Sequence, residues 1–251
     1  MTTPLIMAGS LGRPSLPLLK WIADPVILVE PQELELYKAQ HPEIDYVVLK
    51  ESGKGFSYMM NAMVSEAIKR NQRYFVFTDD DVFGLKTRPS LSEKFSRVQN
   101  EEARAALRGA VDMAARLEAA QLAISFSGQS WGVKKAYNEP VGSWGVYVCD
   151  AFAIKAIGGF DEDLWIFSDW DVSARLIKTG HRVIRTNLIT FEHKMRGMEG
   201  GADWLYKNQE KVQQACRKLE NRFGPEVVKV TWVEAHGQFE VRFRWAALKN
   251  N

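Results

Sequence analysis

The chain has 251 residues, of which 46% are hydrophobic and 25% are charged, a composition typical of a folded globular protein. The formal net charge of +2 excludes a strongly basic, histone-like protein, although it leaves room for local basic patches. Cys149 and Cys216 lack metal-ligand spacing; they could form one disulfide, but we expect free thiols in a reducing cytoplasm. The sequence starts without a signal-peptide pattern, and no apolar run reaches the roughly 18 residues of a membrane helix, so we expect no membrane association.

The first third of the chain alternates short apolar runs with helical patterns. The apolar runs predict buried strands, in PLIMAGS (4–10), PVILVE (25–30), IDYVVLK (44–50) and RYFVF (73–77). Helical patterns lie between them in PQELELYKAQ, where Pro31 suits a helix start, and in YMMNAMVSEAIKRN. Such alternation is typical of a parallel sheet that is covered by helices on its faces.

The rest of the chain adds further elements of both kinds. The segment from Glu101 to Gln121 predicts a helix that is rich in alanine and leucine, and LAISFSG and GSWGVYVCDAFAI each contain a strand. DWDVSARLIKTG predicts a helix that ends at Gly180, followed by the strand HRVIRT. A long amphipathic helix ends at Gly224, and alternation on both sides of AHGQ predicts a β-hairpin. We therefore expect a single α/β domain with a C-terminal helix and β-hairpin.

Three consecutive carboxylates follow the fourth predicted strand, at Asp79, Asp80 and Asp81. In an open α/β sheet, ligands bind at the carboxyl ends of the strands. Adjacent carboxylates repel one another unless a cation neutralises them, and their hard oxygens suit Mg²⁺ or Mn²⁺. Alternate residues of an extended segment point the same way, so Asp79 and Asp81 can face one site. The competing interpretation is a solvated acidic turn. It is the weaker one, because the aspartates directly follow a strongly apolar predicted strand.

A second group of polar residues lies in GGFDEDLWIFSDWDVSARL. Asp169 and Asp171 fall in the first turn of a predicted helix, where the helix dipole stabilises carboxylates. Helix capping alone would explain Asp171. Farther along, His193 follows a predicted strand and precedes a glycine-rich segment. A lone histidine more often has a structural role. Because the aspartates already indicate a metal site, His193 becomes a candidate metal ligand.

Together these motifs resemble the GT-A glycosyltransferases, whose fold is a Rossmann-like mixed sheet flanked by helices. The matched order is TDDD, GGFDE, SDWDVSARL and then His193. The resemblance implies a nucleotide-sugar donor, with Asp79 or Asp80 at its ribose. It implies a divalent metal held by Asp81, with His193 and Asp79 as further ligands. It also implies that Asp169 is the base that deprotonates the acceptor hydroxyl, although Ser168 stands where the family often has glutamate.

A narrower resemblance joins the chain to the TET-associated DNA glycosyltransferases of bacteriophages, which glycosylate hydroxymethylated pyrimidines. The matches that carry it, in AGSLGRP, VILVEPQELELY and KGFSYMMNAMVSEA, are Ser10, Gly12, Arg13, Glu30, Pro31, Gly55 and Asn61. Met60 departs from the pattern, since the family has arginine there.

The narrower resemblance implies that Ser10, Arg13, Glu30, Gly55 and Asn61 contact a UDP-sugar, with Arg13 at a phosphate and Glu30 at the base or ribose. It implies Mn²⁺ or Mg²⁺ as cofactor and phage DNA containing a 5-hydroxymethylpyrimidine as acceptor. The enzyme would then act as a monomer in the cytoplasm of the bacterial host. Its donor half would span 1–85, its acceptor and catalytic half 86–200, and its C-terminal helix and hairpin 201–251.

A DNA acceptor requires cationic and aromatic surface. The candidates are Lys86, Arg88, Trp131, Lys134, Lys135, Trp144, Arg242 and Arg244, with the segment from Lys194 to Gly201 as a candidate lid. A solvated outer face explains the two hairpin arginines equally well. Two other functions compete with DNA glycosylation. One is a GT-A enzyme that acts on a saccharide or protein, and the other is a catalytically silent DNA-binding or scaffold domain.

Overall fold

The computed structural model describes residues 3–127, 133–193, 208–234 and 238–249. Within these ranges the strands are β1 (Leu5–Gly9), β2 (Val26–Val29), β3 (Asp45–Val48), β4 (Tyr74–Asp79), β5 (Val82–Thr87), β6 (Ser96–Val98), β7 (Ala119–Phe126), β8 (Tyr137–Asn138), β9 (Val146–Asp150), β10 (Arg182–His193), β11 (Val228–Val233) and β12 (Gln238–Phe243). The α-helices are α1 (Leu34–Gln40), α2 (Phe56–Lys69), α3 (Asn100–Arg116), α4 (Ala151–Ala156), α5 (Ser168–Lys178) and α6 (Gln209–Phe223). Short 3₁₀ helices lie at Pro17–Lys20, Pro31–Glu33 and Trp245–Lys249.

Ten strands form one mixed sheet in the order β3-β2-β1-β4-β9-β7-β10-β5-β6, with β8 paired to β10. The four strands β1 to β4 are parallel, as the N-terminal alternation predicts. β9 then runs antiparallel between β4 and β7, and β10 runs parallel to β7 but antiparallel to β5. The mixed α/β fold is confirmed, and so are the C-terminal helix and the β11–β12 hairpin.

Helices cover both faces of this sheet. On one face, Phe75 and Phe77 of β4 share a core with Met63 of α2, Leu176 of α5 and Leu219 of α6. On the opposite face, buried residues of α1 and α3 pack against the alternate strand positions. Successive residues of a strand point to opposite faces, so each strand contributes side chains to both of these buried cores. Within the described part of the chain, the structure contains no helix with the length and apolar character needed to cross a membrane.

The helix predicted from Glu101 to Gln121 is wrong at its C-terminal end. α3 stops at Arg116, Glu118 adopts a left-handed φ of 50°, and β7 begins at Ala119. Alanine favours helices, but here Ala119 and the residues after it are buried between β9 and β10. Pairing within the sheet therefore overrides the local helix propensity.

Strands β5 and β6 have no signal in the sequence, and neither has the two-residue β8. β5 starts directly after the aspartates and contains Gly84 and Lys86, while β6 has only three residues. Both strands form because β10 pairs antiparallel with β5, and β5 pairs with β6. The partner that fixes β5 therefore lies about a hundred residues away in sequence, beyond the reach of local periodicity.

A buried ion cluster joins α5 to α6. Asp171 is fully buried, and its carboxylate accepts hydrogen bonds from Arg175 at 2.8 Å and from Arg222 of α6. Arg222 also donates to Asp161 at 2.5 Å, and Lys218 lies 2.9 Å from the same carboxylate. The cluster fixes the first turns of α5 against the C-terminal helix.

We expect Arg222→Ala to lower the free energy of unfolding by about 2–3 kcal/mol, because it leaves the buried Asp171 with one of its two cations. Arg217→Ala is the matched control, since Arg217 is exposed on the same helix and its loss should change stability by less than about 0.5 kcal/mol. Urea unfolding measures both. Equal stabilities of the two variants would show that the cluster does not tie α6 to the domain.

Candidate active site

The side chains of the three aspartates at the end of β4 point in two directions. Asp79 ends the strand, and its backbone N–H donates to the carbonyl of Gly145 at 3.0 Å, which anchors the turn to the start of β9. Asp80 points into the protein toward β1, while Asp79 and Asp81 converge near the end of β10. The alternation that extended backbone imposes thus separates one carboxylate from the other two.

Asp80 lies in a buried polar network with the loop that follows β1. One carboxylate oxygen accepts a hydrogen bond from Ser10, and the other pairs with the guanidinium of Arg13. Tyr37 of α1 completes the network, with its hydroxyl 2.7 Å from Ser10 Oγ and accepting from the backbone N–H of Arg13 at 3.0 Å. Burial raises the pKa of Asp80 to about 6, against the opposing effect of Arg13 and Ser10.

Arg13 is buried rather than displayed on a mobile surface loop, with 7% of its surface exposed. Besides Asp80, its guanidinium lies 3.3 Å from Asp81. It therefore neutralises part of the aspartate run. The expected contacts of Ser10, Arg13 and Asp80 with a donor stay predictions, and in this structure the side chains of Ser10 and Arg13 both bind Asp80.

Asp79, Asp81 and His193 each offer a ligand atom, and these atoms lie within 4.8 Å of one another. The antiparallel register of β10 with β5 sets His193 opposite Val82, directly after the aspartates. His193 Nε2 lies 2.8 Å from Asp81 Oδ1. Two carboxylates with one imidazole suit Mn²⁺ better than Mg²⁺, which strongly prefers oxygen ligands.

The electrostatics of Asp79 fit a bound cation. Burial raises the pKa of Asp79 well above its ordinary value, and the charges of Asp81, Asp80 and Asp169 raise it further against the opposing charge of Arg13. Like charges that are held together in a poorly solvated site disfavour ionisation of every member. A divalent cation between these ligands would remove that repulsion, so the residues present fit a metal site.

Asp169 lies in the first turn of α5. Phe167 enters the helix with a left-handed φ of 61°, and the backbone N–H of Trp170 donates to Asp169 Oδ1 at 2.9 Å. The hydroxyl of Ser173 donates to the carbonyl of Asp169 at 2.8 Å. Burial raises the pKa of Asp169 to about 7. Since its charge also raises the pKa of Asp79, the candidate base lies within electrostatic reach of the candidate metal ligands.

Glu30 and Gly55 lie where neighbouring loops meet. Glu30 accepts a hydrogen bond from the backbone N–H of Gly53 at 2.7 Å, so it holds the loop that leads to α2. Gly55 precedes α2 with a φ of 83°, and a Cβ there would lie 3.3 Å from the ring of Trp165. Whether either residue contacts a donor stays a prediction.

Asn61 lies on α2 and binds the loop before α5. Its amide donates to the carbonyl of Phe160 at 3.0 Å and accepts from the N–H of Phe160 at 2.8 Å. It also donates to Glu162 at 2.8 Å. This pairing uses the amide to position the GGFDE segment, and donor contact by Asn61 stays a prediction. Met60, beside it, is fully buried.

The expected acceptor surface divides into buried and exposed parts. Arg88 is buried and donates to the carbonyl of Asn187 at 3.0 Å, so its expected place on a DNA-facing surface is wrong. Lys86 is paired with Glu192 at 2.6 Å. Trp144 is half-buried, with its ring centroid 6.5 Å from that of His193.

The remaining acceptor candidates lie at the surface or outside the described residues. The exposed cations among them are Lys134, Lys135, Arg242 and Arg244. The predicted contact at Trp131 and the predicted lid at 194–201 lie outside the described residues.

An aromatic stack beside Asp169 has no counterpart in the sequence predictions. Trp170 packs between Phe167, at 5.6 Å between centroids, and Phe243 of the hairpin, at 5.9 Å. Phe243 stacks on Trp245 at 4.4 Å. The signal that could have revealed it was the alternation of Val241, Phe243 and Trp245, which marks one apolar hairpin face in need of a partner.

Comparison with solved structures shows the same fold in two glycosyltransferases. The mannosyltransferase PcManGT from Pyrobaculum calidifontis, solved with GDP-Man and Mn²⁺, matches with a TM-score of 0.56 and 14% identity, over 88% of this chain and 65% of that one. S. aureus TarS in complex with UDP matches with a TM-score of 0.51 and 12% identity, over 86% of this chain and 65% of the TarS fragment. The chain thus spans just under two thirds of these structures, and at such identities the likeness concerns the fold.

Sequence comparison gives a family. No curated protein sequence matches the chain significantly. The model of the family described as "TET-Associated Glycosyltransferase" matches residues 22–201, which include the three aspartates, Asp169 and His193. Because this match covers well over half of the sequence, the chain belongs to the TET-associated glycosyltransferase family.

Proposed function

We propose that the enzyme transfers a sugar from a UDP-sugar to the hydroxymethyl group of a 5-hydroxymethylpyrimidine in phage DNA, with 5-hydroxymethylcytosine as the favoured base. The observation that carries the proposal is the convergence of Asp79, Asp81 and His193, within electrostatic reach of Asp169. A glycosyltransferase needs a site for the donor diphosphate and a base for the acceptor, and this cluster supplies candidates for both. In this proposal the enzyme acts as a monomer in the cytoplasm of the infected host.

The donor half of the proposed site comprises the first 85 residues with His193. Asp79, Asp81 and His193 would hold the divalent cation, and when bound this cation supplies positive charge to the leaving diphosphate. The network of Arg13, Asp80 and Ser10 supports the loop beside it. A rigid supporting network of this kind keeps ligands oriented without reorganisation during the reaction.

Asp169 performs the acid–base step of the proposed reaction. Its carboxylate accepts the proton of the hydroxymethyl group while that oxygen forms a bond to the anomeric carbon of the sugar. The bond from this carbon to the diphosphate breaks, and UDP leaves with the electron pair. One carboxylate on the acceptor side suits a single displacement, so the anomeric configuration is inverted.

The hairpin and the loop before β8 support a nucleic-acid acceptor. Lys229 and Arg242 are directly opposite in the hairpin and both exposed. Like charges at such a pair destabilise the hairpin, and an approaching phosphate backbone would relieve that repulsion. Lys134 and Lys135 add exposed positive charge near β8. Trp144, beside His193, offers a ring on which an extruded base could stack.

Nucleoside mass spectrometry tests the proposed reaction. With Mn²⁺ and a panel of UDP-sugars, we expect one sugar mass to appear on DNA that carries 5-hydroxymethylcytosine and none on unmodified DNA. A parallel DNA that carries 5-hydroxymethyluracil tests the choice of base. Transfer to saccharide or peptide hydroxyls, with no transfer to either modified DNA, would reject the DNA acceptor and retain a glycosyltransferase.

Two substitutions separate donor binding from chemistry. Asp81→Ala should abolish transfer and weaken Mn²⁺-dependent binding of UDP, because it removes a cation ligand. Asp169→Asn should lower kcat by about 10²–10⁴-fold and leave UDP binding unchanged, because the base is lost but the donor site is not. Calorimetric titration and steady-state kinetics measure the two effects.

Asp163→Asn is the matched control for both substitutions, since this carboxylate is 94% exposed in the loop before α5. It should bind UDP and transfer sugar as the unaltered enzyme does. A fully active Asp169→Asn enzyme would contradict the proposed base, and undiminished metal-dependent UDP binding by Asp81→Ala would contradict the proposed ligand.

The raised pKa of Asp169 predicts an acid limit to activity. Below its pKa of about 7 the carboxyl carries a proton and cannot accept another, so kcat/KM should fall about tenfold per pH unit. The folded pKa exceeds the ordinary 3.8, so the stability that the protonated group confers is complete below pH 3.8 and is lost as the pH rises through 7. Asp169→Asn should therefore raise Tm at pH 8.

Measuring UDP binding over the same pH range shows whether activity falls because Asp169 is protonated or because the donor no longer binds. We expect UDP binding to persist at pH values where transfer has already declined. A kcat/KM that stays flat down to pH 5 would be inconsistent with Asp169 as the base.

A further inference from the structure

Tyr147 of β9 carries a polar group that the proposed reaction leaves unexplained. The residue pairs with Phe77 of β4, and the two rings lie 4.9 Å apart between centroids. Because strand positions alternate, Tyr147 shares its sheet face with Phe77 and with Asp79, two residues farther along β4. The side chain is fully buried, and its hydroxyl has no hydrogen-bond partner among the described residues.

A buried phenol hydroxyl normally finds a partner, because leaving it unpaired costs free energy. The side chain of Tyr147 belongs to the same buried cluster as Ile166 and Val172, which lie on either side of Asp169 in the sequence. Burial raises the pKa of Tyr147 well above the ordinary value, and the neighbouring Cys149 and the charges of Asp169 and Asp79 raise it further. The hydroxyl is thus a proton donor within the electrostatic reach of two carboxylates, one of them the proposed base.

The backbone of Asp169 is anchored to the sheet. Its carbonyl accepts from Ser173, whose hydroxyl also donates to the buried Gln121 at 2.7 Å. Its Oδ1 accepts from the N–H of Trp170, and its Oδ2 has no hydrogen bond among the described residues. The backbone is therefore fixed to β7, while one carboxylate oxygen is available to a donor.

We propose that in the working enzyme the Tyr147 hydroxyl donates a hydrogen bond to Oδ2 of Asp169, which makes Tyr147 a positioning residue for the base. The inference rests on the proposed function, since it takes Asp169 as that base. Asp79 is the less suitable acceptor, because its ligand oxygen converges with Asp81 and His193. Each oxygen of Asp169 keeps a second lone pair, so the carboxylate can still take the acceptor proton.

The hydrogen bond would fix the carboxylate rotamer toward the acceptor and favour its ionised form. The other ionisable groups on β4 and β9 that affect the pKa of Tyr147 or of Asp79 cannot replace this hydrogen bond. Cys149 stays a neutral thiol, because burial raises its pKa. Asp80 and Asp81 are acceptors when ionised, and both pair with Arg13.

Tyr147→Phe tests the inference, because it removes only the hydroxyl. Since that group has no partner within the described structure, Tm should stay unchanged or rise. Meanwhile kcat should fall by about tenfold or more, as expected for a lost hydrogen bond to a charged group. KM for the UDP-sugar should not change, and the acid limit of kcat/KM should move to higher pH. Metal-dependent hydrolysis of the UDP-sugar can serve as the activity, with water as the acceptor.

Tyr46→Phe is the matched control. Its hydroxyl donates to the carbonyls of His41 at 3.0 Å and Tyr37 at 3.2 Å, so its removal should lower Tm and leave kcat and the pH profile unchanged. The inference is overturned if Tyr147→Phe keeps its kcat, if its Tm falls as that of Tyr46→Phe does, or if only KM changes. An unaltered enzyme that neither transfers sugar nor hydrolyses any donor would instead reject the proposed function, and Tm alone would then decide whether the hydroxyl is structural.

Discussion

The pairing of Arg13 with Asp80 is the interaction on which the site depends. Three adjacent carboxylates at the end of a core strand would repel one another, and burial makes that repulsion worse. Arg13 neutralises Asp80 on one side of the turn and lies 3.3 Å from Asp81 on the other. Because Ser10 and Tyr37 bind the same cluster, the loop after β1, helix α1 and the aspartate turn form one rigid unit. Asp79 and Asp81 are then presented on the opposite side, toward His193.

A second cluster of charges performs a similar task for Asp169, the proposed base. Asp171 is two residues from Asp169 and is held by Arg175 and by Arg222 of α6. The C-terminal helix therefore helps to position α5, although it contributes no side chain to the proposed reaction. Both clusters bury carboxylates with cations from distant segments, a combination in which loss of one partner costs far more than the intact pair contributes.

Much of the fold could be predicted from the sequence because its signals are local. Near-continuous apolar runs mark β1, β2 and β4, and strict alternation marks the hairpin. The aspartate turn and His193 could be found for the same reason, since each lies at the end of a strand. The boundary of α3 could not, because Ala119 and Gln121 suit a helix and only the neighbouring strands make them a strand. The burial of Arg13 and Arg88 could not be predicted either, since their partners lie about 70 to 100 residues away in the sequence.

The antiparallel pairing of β10 with β5 has a consequence for protein synthesis. His193 reaches the aspartates only after β10 has been made and added beside β5, and α5 acquires its last cation only when α6 has folded. During translation the three aspartates of the first half emerge long before these partners. A growing chain therefore carries the aspartates before His193 lies beside them, so under the proposed function it could not turn over a donor until β10 has joined the sheet. The topology therefore makes the proposed metal site one of the last parts of the domain to form.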